Sequence, residues 1–233
     1  MKYLFAPPAV ASVPILGSDE YFPIRRIFCV GRNYEAHAKE LGNAVDRETP
    51  FYFTKAAAHY VPSGATVPYP PGTANYHHEL ELVVAIGKGG FNIAEAQALA
   101  HVFGYACGLD MTRRDLQASL REKKLSWDLA KDFENAAVVA ALAPASAIGH
   151  PVTGRMELRV NGDIRQSSDI GMMIHPIPAL IAHLSRFYHL QPGDLIFTGT
   201  PEGVGPVIPG DRIEGMIEGV GGIALNIGAA DSP

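Results

Sequence analysis

Cysteine is nearly missing from this chain. Among 233 residues there are two, Cys29 and Cys107, set in the apolar runs Ile27-Phe28-Cys29-Val30 and Tyr105-Ala106-Cys107-Gly108. Neither has a C-x-x-C partner, which sets aside the paired-cysteine zinc and redox motifs. Buried free thiols in a reducing cytosol are the expectation. Charge is modest as well, with 18% charged residues and a net charge of −5. That mild acidity argues against nucleic acid as a partner. No apolar run reaches membrane-spanning length. The start of the chain is apolar but carries Pro7, Pro8 and Pro14 and a single early lysine, Lys2, which does not fit a signal peptide. A cytoplasmic protein without a membrane partner is expected.

Several catalytic signatures are missing too. There is no G-K-S/T phosphate loop, no G-x-S-x-G nucleophile elbow and no H-E-x-x-H zinc helix. No repeat, low-complexity tract or domain-splitting linker interrupts the chain. What is plentiful is glycine, with 24, and proline, with 18. Both favour turns and short strands over long helices. At 47% hydrophobic, the chain has ordinary globular composition and length enough for one sizeable core. The organisation expected is a short N-terminal segment, 1–20, and a single catalytic domain, 21–233.

The pattern within that domain is mainly β (α+β). Strands are expected over 24–30, 51–55, 77–86, 102–109, 195–198, 211–217 and 222–227. Helices are expected over 34–41, ended by Gly42-Asn43, and over 93–100, 112–121 and 177–188. Asn161-Gly162-Asp163 between two apolar runs predicts a hairpin, because Asn-Gly tolerates the positive φ angles of a type I′ turn.

The chemistry concentrates in His77-His78-Glu79-Leu80-Glu81-Leu82-Val83-Val84. In a strand, side chains alternate faces, so Glu79 and Glu81 share one and Leu80 and Leu82 the other. Two like charges side by side on a half-buried face call for something positive between them. The simplest occupant is a hard divalent cation, since oxygen-only ligands suit magnesium, manganese or calcium better than zinc. An E-x-E pair on a solvent-facing edge also serves solubility alone; the apolar continuation through Val83, Val84, Ala85 and Ile86 favours the cation. His77 shares the Glu face, as a third ligand or as a hydrogen bonder behind one.

Asp110 follows a strand and precedes a helix, where it is either a helix cap or a third oxygen for that cation. His37 and Glu40 lie three residues apart on one helical face. They form either a casual surface pair or a carboxylate-backed imidazole able to activate water. Lys131 sits among apolar and aromatic neighbours in Trp127-Asp128-Leu129-Ala130-Lys131-Asp132-Phe133. Gly199-Thr200-Pro201-Glu202-Gly203-Val204-Gly205 is a turn whose amides can approach an anion.

Taken in order, these strings resemble the fumarylacetoacetate hydrolase superfamily. They are Val30-Gly31-Arg32-Asn33-Tyr34 with His37 and Glu40; His78-Glu79-Leu80-Glu81-Leu82; Gly104-Tyr105 leading to Asp110-Met111-Thr112-Arg113-Arg114-Asp115-Leu116-Gln117; Lys131-Asp132-Phe133; and Thr198 through Gly205. The resemblance runs from Ile24 to Ile227. It implies a mixed β-roll with a few short helices, usually as a homodimer. It implies Mg2+ or Mn2+ held by Glu79, Glu81 and Asp110, and a water-activating pair in His37 and Glu40 on a helix that often orders with substrate. Lys131 and Gln117 would hold the oxyanion. Arg32, Lys55, Arg114 and Thr200 would contact the substrate. Two departures stand out. Lys55-Ala56 replaces a frequent Lys-Pro, and Glu134-Asn135-Ala136-Ala137-Val138 replaces a run towards Cys-Pro. The second departure, with Ser126-Trp127-Asp128-Leu129, is similar to the fumarylpyruvate hydrolase branch.

That branch implies a metal-dependent hydrolase cleaving the C–C bond of an acylpyruvate, fumarylpyruvate to fumarate and pyruvate, in the gentisate pathway of aromatic compound catabolism. Because the same metal–enolate chemistry runs other reactions, an oxaloacetate decarboxylase or tautomerase, or a dienoate isomerase, stays open. A binding protein without turnover fits less well, since base, oxyanion donors and carboxylate clamp are all present.

Overall fold

The computed structural model describes residues 1–40, 42 and 45–231. Strands dominate, as expected, and four sheets carry them. The largest has eight strands. Its central path runs Phe51–Lys55, Arg26–Gly31, Asp194–Phe197, Leu80–Ile86, Val102–Asp110, Ala137–Val139 and Tyr60–Pro62. It is mixed, with Arg26–Gly31 parallel to Asp194–Phe197 and antiparallel to Phe51–Lys55.

Both faces of this sheet are buried. Leu80, Leu82, Val84 and Ile86 enter one apolar cluster, whereas Val83 and Ala85 enter the other. The first cluster is closed by a five-stranded sheet that contributes Met156, Leu158, Ile213, Ile223 and Leu225. The second is closed by the N-terminal strands Ser12–Pro14 and Tyr21–Pro23 through Val13 and Phe22. Truncating a leucine in the first cluster, such as Leu82, costs about 2–5 kcal/mol.

The period of two carries straight to function. Glu81 continues the Val83–Ala85 file. Ala106 belongs to the same cluster, so Gly108 and Asp110 follow it by alternation. Lys55 pairs with Ile27, which also faces this cluster, so it joins from the other side. One face of one sheet thus collects a glutamate, an aspartate and a lysine.

Four expectations needed correction. The strand expected over 77–86 is two strands, Tyr76–His78 and Leu80–Ile86, which meet at Glu79. The first belongs to a small three-stranded sheet with Thr112–Arg113 and Gly205–Val207. Thr112 and Arg113 pair with His77 and Tyr76, so the next helix begins only at Arg114 and runs Arg114–Glu122. The helix expected over 93–100 is a 3-10 helix, Glu95–His101, and that over 177–188 ends as Ile177–Leu184. The first helix spans Glu35–Glu40; of its expected end, Leu41 and Asn43 lie outside the described residues. The hairpin forms as expected, with Asn161 at φ 53 and Gly162 at φ 90 between Arg155–Val160 and Asp163–Asp169.

Candidate active site

Glu79, Glu81 and Asp110 each offer an oxygen within 4.8 Å of the others, and none is more than 4% exposed. Such a cluster of buried carboxylates persists only with compensation. Lys131 supplies part of it: Nζ donates to Glu79 Oε2 at 2.8 Å, Asp110 Oδ2 at 2.6 Å and Thr112 Oγ1 at 2.7 Å. Arg114 donates to Glu79 Oε1 and to Gln117 Oε1. Lys55 Nζ lies 2.8 Å from Asp110 Oδ1 and donates to the carbonyls of Met111 and Lys131.

Three carboxylates therefore face three buried cations. Burial opposes ionisation of Glu79, but Lys131 and Arg114 outweigh it and hold the carboxyl well below its ordinary range. Burial also opposes the charge on Lys131, and Asp110 and Glu79 outweigh it in turn. Glu81 goes the other way. Burial, then the charges of Asp110 and Glu79, push it well above the usual carboxylate value, against Lys131 and the Gly199 amide that reaches its Oε2 at 2.7 Å. Gly199 has φ +99, and a Cβ there would meet Asn33 Cβ at 2.7 Å, so that amide approaches only because the residue is glycine.

The donor set fits a hard divalent cation. All ligands are oxygens, Glu81 has no cationic partner of its own among the described residues, and Asp110 Oδ1 is buried without a hydrogen bond although Lys55 stands near it. The three N–H donors of Lys131 are already engaged, so towards an incoming oxyanion it first acts through its charge.

His37 is 5% exposed and opens on the same cavity, which is lined also by Arg32, Phe53, Arg121, Trp127, Lys131 and Thr200. Its Nδ1 is 3.2 Å from Glu40 Oε2. That hydrogen bond, with the Gly203 amide on Oε1 at 3.2 Å, holds Glu40 below its usual value against partial burial. Seven of the eleven residues expected from sequence at the metal, the base and the substrate thus line the cavity: Glu79, Glu81, Asp110, His37, Lys131, Arg32 and Thr200. Glu40, Lys55, Arg114 and Gln117 do not line it; each touches a residue that does or, for Gln117, touches Arg114.

His77 lies apart from the carboxylate cluster. Its Nδ1 accepts from Arg114 Nε at 3.4 Å, and Nε2 is 2.8 Å from Asn75 Oδ1. Burial, then the Arg114 charge, lower its pKa to about 4, so it stays neutral.

Sequence reasoning missed Gln166, 1% exposed on the edge strand of the five-stranded sheet. Gln166 Nε2 donates to Thr200 Oγ1 at 2.8 Å and to the Pro201 carbonyl at 3.0 Å, while Oε1 accepts from the Leu80 amide at 3.0 Å. With that lone pair occupied, the Thr200 hydroxyl proton is directed elsewhere, as a donor. Asn33 does similar work on the other side, donating to the Thr198 and His175 carbonyls at 2.7 and 3.0 Å. Arg121, Phe53 and Trp127 on the cavity wall were missed too. The buried Gln in an otherwise exposed strand gave no signal readable in one sequence.

Known proteins resemble this chain in sequence and fold. The profile of the fumarylacetoacetate (FAA) hydrolase C-terminal family matches residues 26–227. A fumarylpyruvate hydrolase of a Ralstonia species is 51% identical over 193 residues, 82% of this chain and all of that one. The human mitochondrial oxaloacetate tautomerase FAHD1 is 44% identical over 196 residues, 84% of this chain and 88% of that one. The crystal structure of fumarylpyruvate hydrolase from Pseudomonas aeruginosa, in complex with Mn2+ and pyruvate, superposes with a TM-score of 0.95 at 50% identity, covering 98% of this chain and all of that one.

Proposed function

The chain belongs to the fumarylacetoacetate hydrolase family, and from that premise we propose that it is a C–C bond hydrolase of acylpyruvates, converting fumarylpyruvate to fumarate and pyruvate. One observation carries the reading. A histidine backed by a carboxylate at 3.2 Å opens on the same cavity as three buried carboxylates suited to Mg2+ or Mn2+. Glu79, Glu81 and Asp110 would hold the ion. Bound there, it supplies Lewis-acid stabilisation of the negative charge that gathers on the departing pyruvate fragment.

His37 is the base. Glu40 accepts from its Nδ1–H, which leaves Nε2 to take a proton from water. The water oxygen bonds to the distal carbonyl carbon. Lys131, through its charge, stabilises the oxyanion, a contribution of about 3 kcal/mol for a good donor, while Gln117, expected beside it, reaches the site only through Arg114. The bond between that carbon and the neighbouring methylene then breaks. Its electron pair stays with the pyruvate fragment, which takes the proton back from His37. Thr200, held as a donor by Gln166, and Arg32 contact the substrate, while Arg114 keeps Glu79 ionised and Lys55 holds Asp110 in place. The family resemblance supports a cytoplasmic homodimer in gentisate breakdown.

The similarity to oxaloacetate tautomerase supports a second reading, in which His37 only moves protons on oxaloacetate. One experiment separates them. Enzyme with Mn2+ is mixed with fumarylpyruvate, and the diketo-enol ultraviolet band is followed beside oxaloacetate ketonisation. The band disappears with release of fumarate and pyruvate in equal amounts. Ketonisation of oxaloacetate without any acylpyruvate cleavage would establish the second reading instead.

A further inference from the structure

A wider cavity of about 610 Å³ opens outside the carboxylate cavity, and the two share Arg32, Phe53, Arg121 and Trp127. Its wall carries three cations, Arg32, Arg121 and Lys124, against one acid, Asp128. The Arg32 guanidinium carbon stands 5.6 Å from the Phe51 ring centroid and 5.8 Å from that of Trp127. Its Nε is buried without a hydrogen-bond partner. Its backbone is left-handed, at φ 62, a conformation uncommon for arginine. Burial, then the charge of Arg121, lower the Arg32 pKa from its ordinary value. A buried unpaired donor beside a like charge is costly, and an anion between them removes both costs.

The inner charges point the same way. Three carboxylates already balance Lys55, Lys131 and Arg114, so a divalent cation leaves the inner cavity positive. The outer cavity is positive as well. A matching ligand is negative at both ends, with a chain that passes the wall Phe53 and Trp127 give to both cavities.

We propose that Arg32, with Arg121 beside it, binds a second carboxylate at the far end of the acylpyruvate, so that this site selects dicarboxylic substrates over those with a neutral acyl end. The proposal rests on the acylpyruvate reading for its substrate, not for its ligand chemistry. Arg32 is a specificity residue in it: it touches the substrate away from the reacting carbon.

The chain has one tryptophan, and Trp127 stands on this wall, so its emission reports the cavity. Enzyme with Mn2+ and pyruvate is titrated with fumarate and with crotonate, in which a methyl replaces one carboxylate. Wild type binds fumarate more tightly, and Arg32→Gln weakens fumarate on the order of 30-fold with crotonate nearly unmoved, as loss of a charged hydrogen bond requires. Arg32→Lys recovers part of the difference, because it keeps the charge but not the fork. In turnover, Arg32→Gln lowers kcat/KM for fumarylpyruvate far more than for acetylpyruvate. Equal affinity of wild type for fumarate and crotonate, or an equal loss of both in Arg32→Gln, would overturn the clamp. The two readings fail separately. Fumarate bound through Arg32 without acylpyruvate cleavage sinks the hydrolase and keeps the clamp; cleavage of fumarylpyruvate and acetylpyruvate with equal kcat/KM does the reverse.

Discussion

The carboxylate cluster and the histidine across the cavity from it are anchored in opposite ways. Glu81 and Asp110 project from central strands of the eight-stranded sheet and are no more than 1% exposed. The cluster's cations, Lys55, Lys131 and Arg114, come from three further elements, so it ties together much of the chain. His37 rides on a six-residue helix, Glu35–Glu40, whose partner carboxylate keeps 36% of its side chain in solvent. A helix that short has no stability of its own. It is held by the Glu40–Gly203 contact and by Asn33 at its foot. The carboxylate cluster is therefore inseparable from the fold, whereas the proposed base is an attachment to it.

The sharpest way to break this comparison is Glu79→Ala. It leaves Lys131 with Asp110 and Thr112, but takes from Arg114 its carboxylate and leaves it only the neutral Gln117 and His77 in the interior, which costs about 3–5 kcal/mol. For a chain of this size that lowers the melting temperature by roughly 10 °C. Activity and Mn2+ binding disappear together. A variant that loses Mn2+ but melts like wild type would show that the cluster is not part of the fold's framework.

His37→Ala is the converse. Hydrolysis falls on the order of 10³-fold, the usual value of a positioned general base, while Mn2+ affinity and melting temperature stay near wild type. Calorimetric metal titration beside turnover reads both. Normal hydrolysis in this variant would refute the base assignment; a melting temperature lowered as far as in Glu79→Ala would erase the contrast between the two halves.

Gln166→Ala tests whether the rigidity extends to the substrate loop. The change orphans the Leu80 amide and the Thr200 hydroxyl, at about 2 kcal/mol. KM rises roughly ten-fold with kcat much less affected, because Thr200 binds substrate rather than reacts. Equal loss in kcat would put Thr200 in the chemistry.

The same contrast governs what could be read from the chain. Alternation along one strand put Glu79 and Glu81 on one face from the sequence alone, whereas Asp110, read at the end of another strand, joins Glu81 through the pairing of Glu81 with Gly108. Alternation failed for His77, which by the same rule should stand beside Glu79, because the strand breaks there and His77 turns to Arg114. Glu79 reaches the cluster through Lys131 and Arg114, not through its strand. The i, i+3 spacing of His37 and Glu40 was readable because a helix fixes it locally. Gln166 was not: it acts on Thr200 across 34 residues, between two sheets whose juxtaposition no local pattern encodes. Lys55 falls between these cases, because its face follows only once its pairing with Ile27 is known.

The smallest effect belongs to the weakest anchor. The hydrogen bond to His37, and after it the Gly203 amide, place the Glu40 pKa below that of the unfolded chain, near 4.3. A carboxylate depressed in the folded state binds fewer protons there than in the unfolded state. Its contribution is therefore complete above about pH 5 and lost as pH falls through the folded value. Glu40→Gln removes that contribution. The melting temperatures of wild type and Glu40→Gln should differ by a small, constant amount from neutral pH down to about 5 and converge below about 4. A gap that instead widened on acidification would mean that Glu40 is protonated more readily in the fold than out of it. The carboxylate would then not be holding His37, and the helix would need another anchor.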